Sequence, residues 1–184
     1  MWCNTDDSYG RISISLHWLI AVAVIGLFAL GLWMVELDYY DPWYQRAPEL
    51  HKSAGVLLFG LVLLRLVWHY SNPRPRPVGS RWESRAATLA HASLNLLLLA
   101  TLVSGYLIST ADGRPIDVFG LFQVPATLAG LQNQADLAGK IHELLSFILI
   151  GLAGLHALAA LKHHFINHDA TLRRMLASRQ EPVD

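Results

Sequence analysis

Residues 12–35 read ISISLHWLIAVAVIGLFALGLWMV, 24 positions between Arg11 and Glu36 without a single Asp, Glu, Lys or Arg. A bilayer core asks for about 20 predominantly apolar residues in helix. In hydrocarbon the backbone is satisfied only within helices or closed barrels, and an uninterrupted apolar run of this length means a helix. The pattern recurs along the chain. Residues 86–111, which include LNLLLLATLVSGYLIST, form an uncharged gap of 26, and residues 144–161 form another of 18. Ser53 to Tyr70 is similar but carries Arg65 near its far end. The expected fold class is therefore an all-α membrane protein, a four-transmembrane-helix bundle in one domain over 1–184. Its helices are placed near 13–35, 50–70, 87–110 and 141–163. A soluble bundle would need polar helix faces, and Leu94 to Leu102 has none after Asn95. The opening MWCNTDDSYGR is acidic, and the span after it is too long for the apolar core of a signal peptide.

Composition agrees. The 184 residues are 53% hydrophobic and only 15% charged, where soluble domains carry about 25% charged residues. Intrinsic disorder is excluded by the high hydrophobicity, and a basic nucleic-acid binder by the balance of 14 basic against 14 acidic residues. A lone cysteine, Cys3, excludes a disulfide framework and a thiolate zinc site within the chain. Split by side, the charge is unequal. The N-terminal tail, the 71–86 segment and the C-terminal tail, with Arg65, hold ten Lys and Arg residues; the other side holds four, Arg46, Lys52, Arg114 and Lys140. The excess of Lys and Arg marks the cytoplasmic side, so both termini are expected there. The opposite side has eight acids against its four bases, a net of −4. SNPRPRPVGSRW is Pro-rich and reads as an extended connector. Trp18, Trp33, Trp43, Trp68 and Trp82 fall near helix ends, as an aromatic belt requires.

Nine histidines are many for this length, and a histidine inside a membrane span is expensive enough to suggest function. His17, His91 and His156 each stand six residues from a basic residue of the cytoplasmic side, Arg11, Arg85 and Lys162. His51 and His142 sit at the outer boundary beside Lys52 and Glu143. The five thus occupy two levels. His142 and His156 are fourteen residues apart on one helix, which puts both on nearly one face about 21 Å apart along the axis. That arrangement suits two stacked b-type haems, each needing one further histidine from another helix. His51 is the outer partner; depth leaves the inner one open between His17 and His91. A metal-transporting relay would call for acidic co-ligands within the bilayer, and there are none, Glu143 standing at the outer boundary. No histidine follows His142-Glu143 at metalloprotease spacing, and neither a CxxCH nor a glycine-rich nucleotide loop occurs.

Short motifs along almost the whole chain resemble the bacterial cytochrome b561 family, and most nearly its superoxide oxidase branch. They comprise Tyr9-Gly10-Arg11 with His17-Trp18; His51, Gly55 and Arg65; Gly105 and Phe119-Gly120-Leu121; Lys140-Ile141-His142-Glu143 and Gly154-Leu155-His156-Ala157. The tail His163-His164-Phe165, Asp169, Thr171-Leu172 and Arg174-Met175 is the most specific piece, because nothing in bilayer physics asks for it.

The resemblance implies two haem b groups, one held by His17 and His156 and the other by His51 and His142. It leaves His91 beside the inner haem, in a quinone pocket, or in a plain interhelical hydrogen bond. It implies a multi-pass protein of the bacterial inner membrane. There superoxide would give electrons on the outer side, and ubiquinone would take them near the cytoplasmic face. Arg65 is a candidate partner of an inner haem propionate or of quinone, or else snorkels to the surface. His163 and His164 are candidate quinone contacts or proton donors. Lys52 and Lys140, with Arg114, are the outer cations that would screen the outer haem or attract an anion. Against superoxide stands the −4 outer side, since an anion is steered by positive potential. The alternatives are a quinol-linked cytochrome serving a periplasmic redox protein, and a haem-containing anchor subunit of a dehydrogenase or hydrogenase. The short loops offer the anchor reading little docking surface.

Overall fold

The computed structural model describes residues 1–76 and 79–176. Pro77 and Val78 of the connector lie outside the described residues, as does Arg179, one of the ten basic residues counted above. Four long helices dominate: α1 (Arg11–Met34), α2 (Arg46–Ser71), α3 (Arg81–Ser109) and α4 (Gln134–Phe165). A two-stranded sheet, β1 (Ile116–Val118) and β2 (Phe122–Val124), interrupts the α3–α4 connection, and a short α5 (Arg173–Leu176) follows α4. All four long helices are apolar and long enough to cross a membrane. Val22, Ile25, Leu57, Leu64, Leu96, Leu144, Leu155 and Leu158 are exposed along them. Apolar surface on that scale is covered by lipid rather than water.

The helices run longer than the apolar spans. α3 begins at Arg81 and α4 at Gln134, whereas the spans place these starts near 87 and 141. The cause at α3 is a capping box. Ser80 N–H donates to Glu83 Oε2 at 2.9 Å while Glu83 N–H donates to Ser80 Oγ at 3.3 Å, which satisfies two donors at the helix start. At α4, Gln134 is buried, and its side-chain amide donates to the carbonyls of Leu107 and Leu128, both at 3.0 Å. Charge marks where a helix leaves hydrocarbon, not where it stops. Correspondingly, the Pro-rich connector shrinks, with Ser71 ending α2 and Arg81 opening α3.

The chain divides into two compact units, and each long helix contributes to both. The first contains residues 1–21, 61–94 and the chain from Gly151 onward. Its N-terminal segment is knitted by Asn4, which is buried. Asn4 Oδ1 accepts from Gly10 N–H at 2.9 Å and from Ser13 Oγ at 2.7 Å, and its amide donates to Pro73 O at 3.1 Å. Gly10 is required because a Cβ there would run into the backbone of Trp2 and Cys3. The tail folds back onto α1, with Trp18 Nε1 donating to Met175 O at 2.7 Å and Arg174 donating to Arg76 O at 2.8 Å.

The second unit contains residues 22–60 and 95–150. The sheet was not expected from the sequence. Ile116 pairs with Val124 and Val118 with Phe122, antiparallel. Phe119 and Gly120 turn the chain with φ of 54° and 69°, and Leu121 N–H donates to Val118 O at 3.0 Å. Positive φ at both central residues suits a hairpin's twist. A phenylalanine there gives little sequence signal, because glycine and asparagine are the usual occupants. Buried Ser53 of α2 anchors the hairpin, donating to Asp117 O at 3.1 Å and accepting from Phe119 N–H at 3.3 Å.

Candidate functional site

Each unit brings histidines from different helices together. In the first, His17 of α1 and His156 of α4 have ring centroids 6.4 Å apart, with planes at 68°. His91 of α3 approaches the same His156 more closely, at 5.2 Å. Arg65 of α2 is half-buried, and its charge acts on His17, His91 and His156 alike. In the second unit, His51 of α2 and His142 of α4 have centroids 6.1 Å apart, with planes at 77°.

These separations can be set against what an iron demands. Metal–imidazole bonds are about 2.0–2.1 Å, so two imidazoles on opposite sides of one metal place their centroids a little over ~6 Å apart. The pairs at 6.4 and 6.1 Å match that span, while 5.2 Å is too short for it. The donor chemistry fits as well. Among the described residues no group of three or more His, Cys, Asp or Glu side chains is arranged to hold a metal ion. Two imidazoles alone are a poor cage for a bare ion. They are, however, the donor set that a haem leaves for the protein to supply.

His142 is held by its own surroundings. Its Nδ1 lies 2.9 Å from Thr101 O and 3.2 Å from Ser104 Oγ. A carbonyl only accepts, so Nδ1 carries the proton and the Nε2 lone pair is left for a metal. A hydrogen bond of this kind is the usual way in which a ligating imidazole is oriented. Glycine makes room for the ring. A Cβ on Gly105 would lie 3.1 Å from His142 Cε1, and one on Gly31 would lie 3.4 Å from His51 Cε1. The sequence flags Gly105 only through a motif and does not flag Gly31 at all. His51 Nδ1 is buried without a hydrogen-bond partner among the described residues.

The remaining candidates are placed differently. His163 Nδ1 pairs with Asp169 Oδ2 at 2.5 Å, with both side chains largely covered. Partial burial pushes the Asp169 carboxyl up, but bonds from the Thr171 side chain and backbone and from His163 outweigh it and lower it to about 2. His164 packs edge-on against Phe165 at 4.7 Å, and its Nδ1 is buried without a hydrogen-bond partner among the described residues. Lys52 and Lys140 are exposed, one and two residues respectively from a histidine of the second unit. Arg114 is exposed and pairs with Asp112 at 3.1 Å, which offsets its charge locally.

The model of the prokaryotic cytochrome b561 family matches residues 8–178. Cytochrome b561 homolog 2 of Escherichia coli (strain K12) is 54% identical over 175 residues, covering 94% of this chain and 93% of its own length. Cytochrome b561 homolog 1 of the same organism is 30% identical, covering 95% and 99%. A Yersinia pestis protein named probable superoxide oxidase CybB is also 30% identical, covering 94% and 97%. The chain belongs to the prokaryotic cytochrome b561 family. It is a multi-pass membrane electron-transfer protein, for which the family implies b-type haem and suggests a quinone or redox partner.

Proposed function

We propose that this member of the family is a two-haem oxidoreductase that carries electrons from superoxide on the periplasmic side of the inner membrane to ubiquinone near the cytoplasmic face, where both termini lie. The observation that carries the reading is the pair of histidine couples at 6.4 and 6.1 Å, one in each unit. His17 with His156, and His51 with His142, would each hold one haem. When bound, haem supplies reversible one-electron chemistry. The stoichiometry closes simply: two superoxide ions each lose one electron to become dioxygen, and ubiquinone takes both electrons with two protons to become ubiquinol.

The chain's own residues have distinct parts in this. His142 is oriented by Thr101 O, so its Nε2 is presented rather than its Nδ1. Arg65 supplies a fixed positive charge beside the His17–His156 couple, where an anionic propionate or a partly reduced quinone oxygen would be stabilised. His91, at 5.2 Å from His156, lines that region without sharing its metal. His163 holds its Nδ1 against Asp169, so its Nε2 would take up a proton from the cytoplasmic side and pass it on to quinone. Lys52 and Lys140 are the exposed cations beside His51 and His142, and they would draw an anion to that end.

The name of the Yersinia pestis relative supports superoxide as donor. The second reading, a quinol-linked cytochrome serving a basic periplasmic protein, draws on the −4 of the outer segments and on the pairing of Arg114 with Asp112. Stopped-flow pulses of superoxide onto the purified protein, with and without ubiquinone, separate the two. Fast haem reduction that slows as salt rises supports superoxide; absence of reduction on that timescale supports the protein donor. A protein without b-haem difference bands would sink both.

A further inference from the structure

The two histidines of the second unit are supported unequally. His51 Nδ1 has no hydrogen-bond partner among the described residues. His142 Nδ1 meets both Thr101 O and Ser104 Oγ, while Ser104 Oγ itself donates to Thr101 O at 2.8 Å. Thr101 and Ser104 are both buried on α3, and the Thr101 hydroxyl is spent on Leu97 O at 2.8 Å. The Thr101 carbonyl thus receives two side-chain donors besides its place in the α3 ladder, an imidazole N–H at 2.9 Å and a hydroxyl at 2.8 Å. The third edge of the triangle, Ser104 Oγ to Nδ1 at 3.2 Å, is the longest.

We propose that Ser104 is a positioning residue that tunes the reduction potential of the haem held by His51 and His142, by sharing the Thr101 carbonyl with His142. The proposal rests on the ligand assignment above. A strong N–H···O=C bond at Nδ1 makes the imidazole a more basic ligand, which favours ferric over ferrous iron. A second donor on the same carbonyl occupies part of its accepting capacity and weakens that bond. The hydroxyl of Ser104 therefore holds the potential up. Because His51 has no such bond, the tuning of this couple is concentrated at His142.

The test is a spectroelectrochemical titration of purified, haem-loaded Ser104→Ala and Ser104→Thr proteins, with haem-to-protein ratios measured alongside. Removing one neutral hydrogen bond is a few-fold effect on an equilibrium. Ser104→Ala is expected to favour the oxidised form of one haem about threefold, a fall of about 30 mV at 59 mV per tenfold for one electron. The other haem should keep its potential. Ser104→Thr, which retains the hydroxyl, should restore the original value. An unchanged potential in Ser104→Ala, a rise, a shift of both haems together, or loss of a haem would each overturn the tuning role. Failure of the underlying ligand assignment shows separately, as retention of both haems by His142→Ala.

Discussion

The space beside His142 is narrow enough for one methyl group to decide whether a haem stays. A Cβ on Gly105 would sit 3.1 Å from His142 Cε1 and 3.2 Å from Nδ1, whereas carbon atoms in contact prefer about 3.5–4.0 Å. The ring must back away by at least ~0.4 Å to relieve this contact. Thr101 lies one turn before Gly105 on α3, so retreat from Gly105 is also retreat from the Thr101 carbonyl. A bond at 2.9 Å would then pass the roughly 3.2 Å limit of a sound N–H···O bond. Overpacking of a close-fitting site costs about 1–3 kcal/mol, which is about 5- to 140-fold in haem affinity at 1.4 kcal/mol per decade. Alanine is intrinsically better than glycine in a helix by about 0.5–1 kcal/mol, so the loss would run against the backbone's own preference. Gly31→Ala is the internal control. Its Cβ would meet His51 at 3.4 and 3.8 Å, ordinary contacts. Pyridine haemochrome assays on purified protein should find Gly105→Ala short of one haem after mild washing and Gly31→Ala intact. Gly105→Ala with two haems at unchanged potentials would refute the reasoning.

Three further outcomes are expected. His17→Ala should lose one haem and His91→Ala neither, by haem-to-protein ratio; the reverse result would reassign the inner partner of His156 to the histidine at 5.2 Å. Lys52→Gln with Lys140→Gln should slow superoxide-driven haem reduction several-fold and flatten its salt dependence, because they are the exposed cations nearest His51 and His142 in the chain, while the charge of Arg114 is offset by Asp112; an unaltered rate would remove them from the reaction. Asp169 is lowered from 3.8 to about 2, so its contribution to tail docking is complete above the ordinary carboxylate range and disappears as pH falls from about 4 toward 2. Asp169→Asn should therefore raise hydrogen exchange over residues 166–176 at neutral pH, and equal exchange in the two proteins would contradict that.

The sequence announces its helices through missing charge, because a bilayer imposes a length and a composition together. It does not announce their ends. Arg81, Glu83, Asp136 and Lys140 all lie inside helices, since capping and helix propensity continue past the hydrocarbon. The expectation of two histidine levels likewise comes from the sequence, because rise per residue converts position into depth. It leaves the choice between His17 and His91 open, for that depends on how α1 and α3 are rotated toward His156, and no periodicity within one helix records its neighbour's rotation. The partners of the sites were least visible of all. Thr101 O, Met175 O and Asp117 O are backbone carbonyls, which every residue possesses and no motif can mark.

The tail shows what such hidden partners explain. His163, Asp169, Thr171, Arg174 and Met175 stand in a segment that no bilayer requires, and their roles become physical once their bonds are known. Asp169 closes the turn after α4 by accepting from Thr171 N–H at 2.8 Å while holding His163. The chain after it is thereby directed back so that Met175 O receives the Trp18 indole, one residue beyond His17, and Arg174 reaches the connector at Arg76. The connector is in turn joined to the N-terminal segment through Asp6 O and Arg76 N–H at 2.7 Å. Three stretches far apart in sequence thus converge beside the start of α1. A span needs only apolar length, but a histidine that is to hold its angle toward His156 needs its helix fixed against rotation, and the Trp18 bond provides that restraint one residue away. The role of this tail is therefore to be sought in the geometry of His17 before any contact with a substrate.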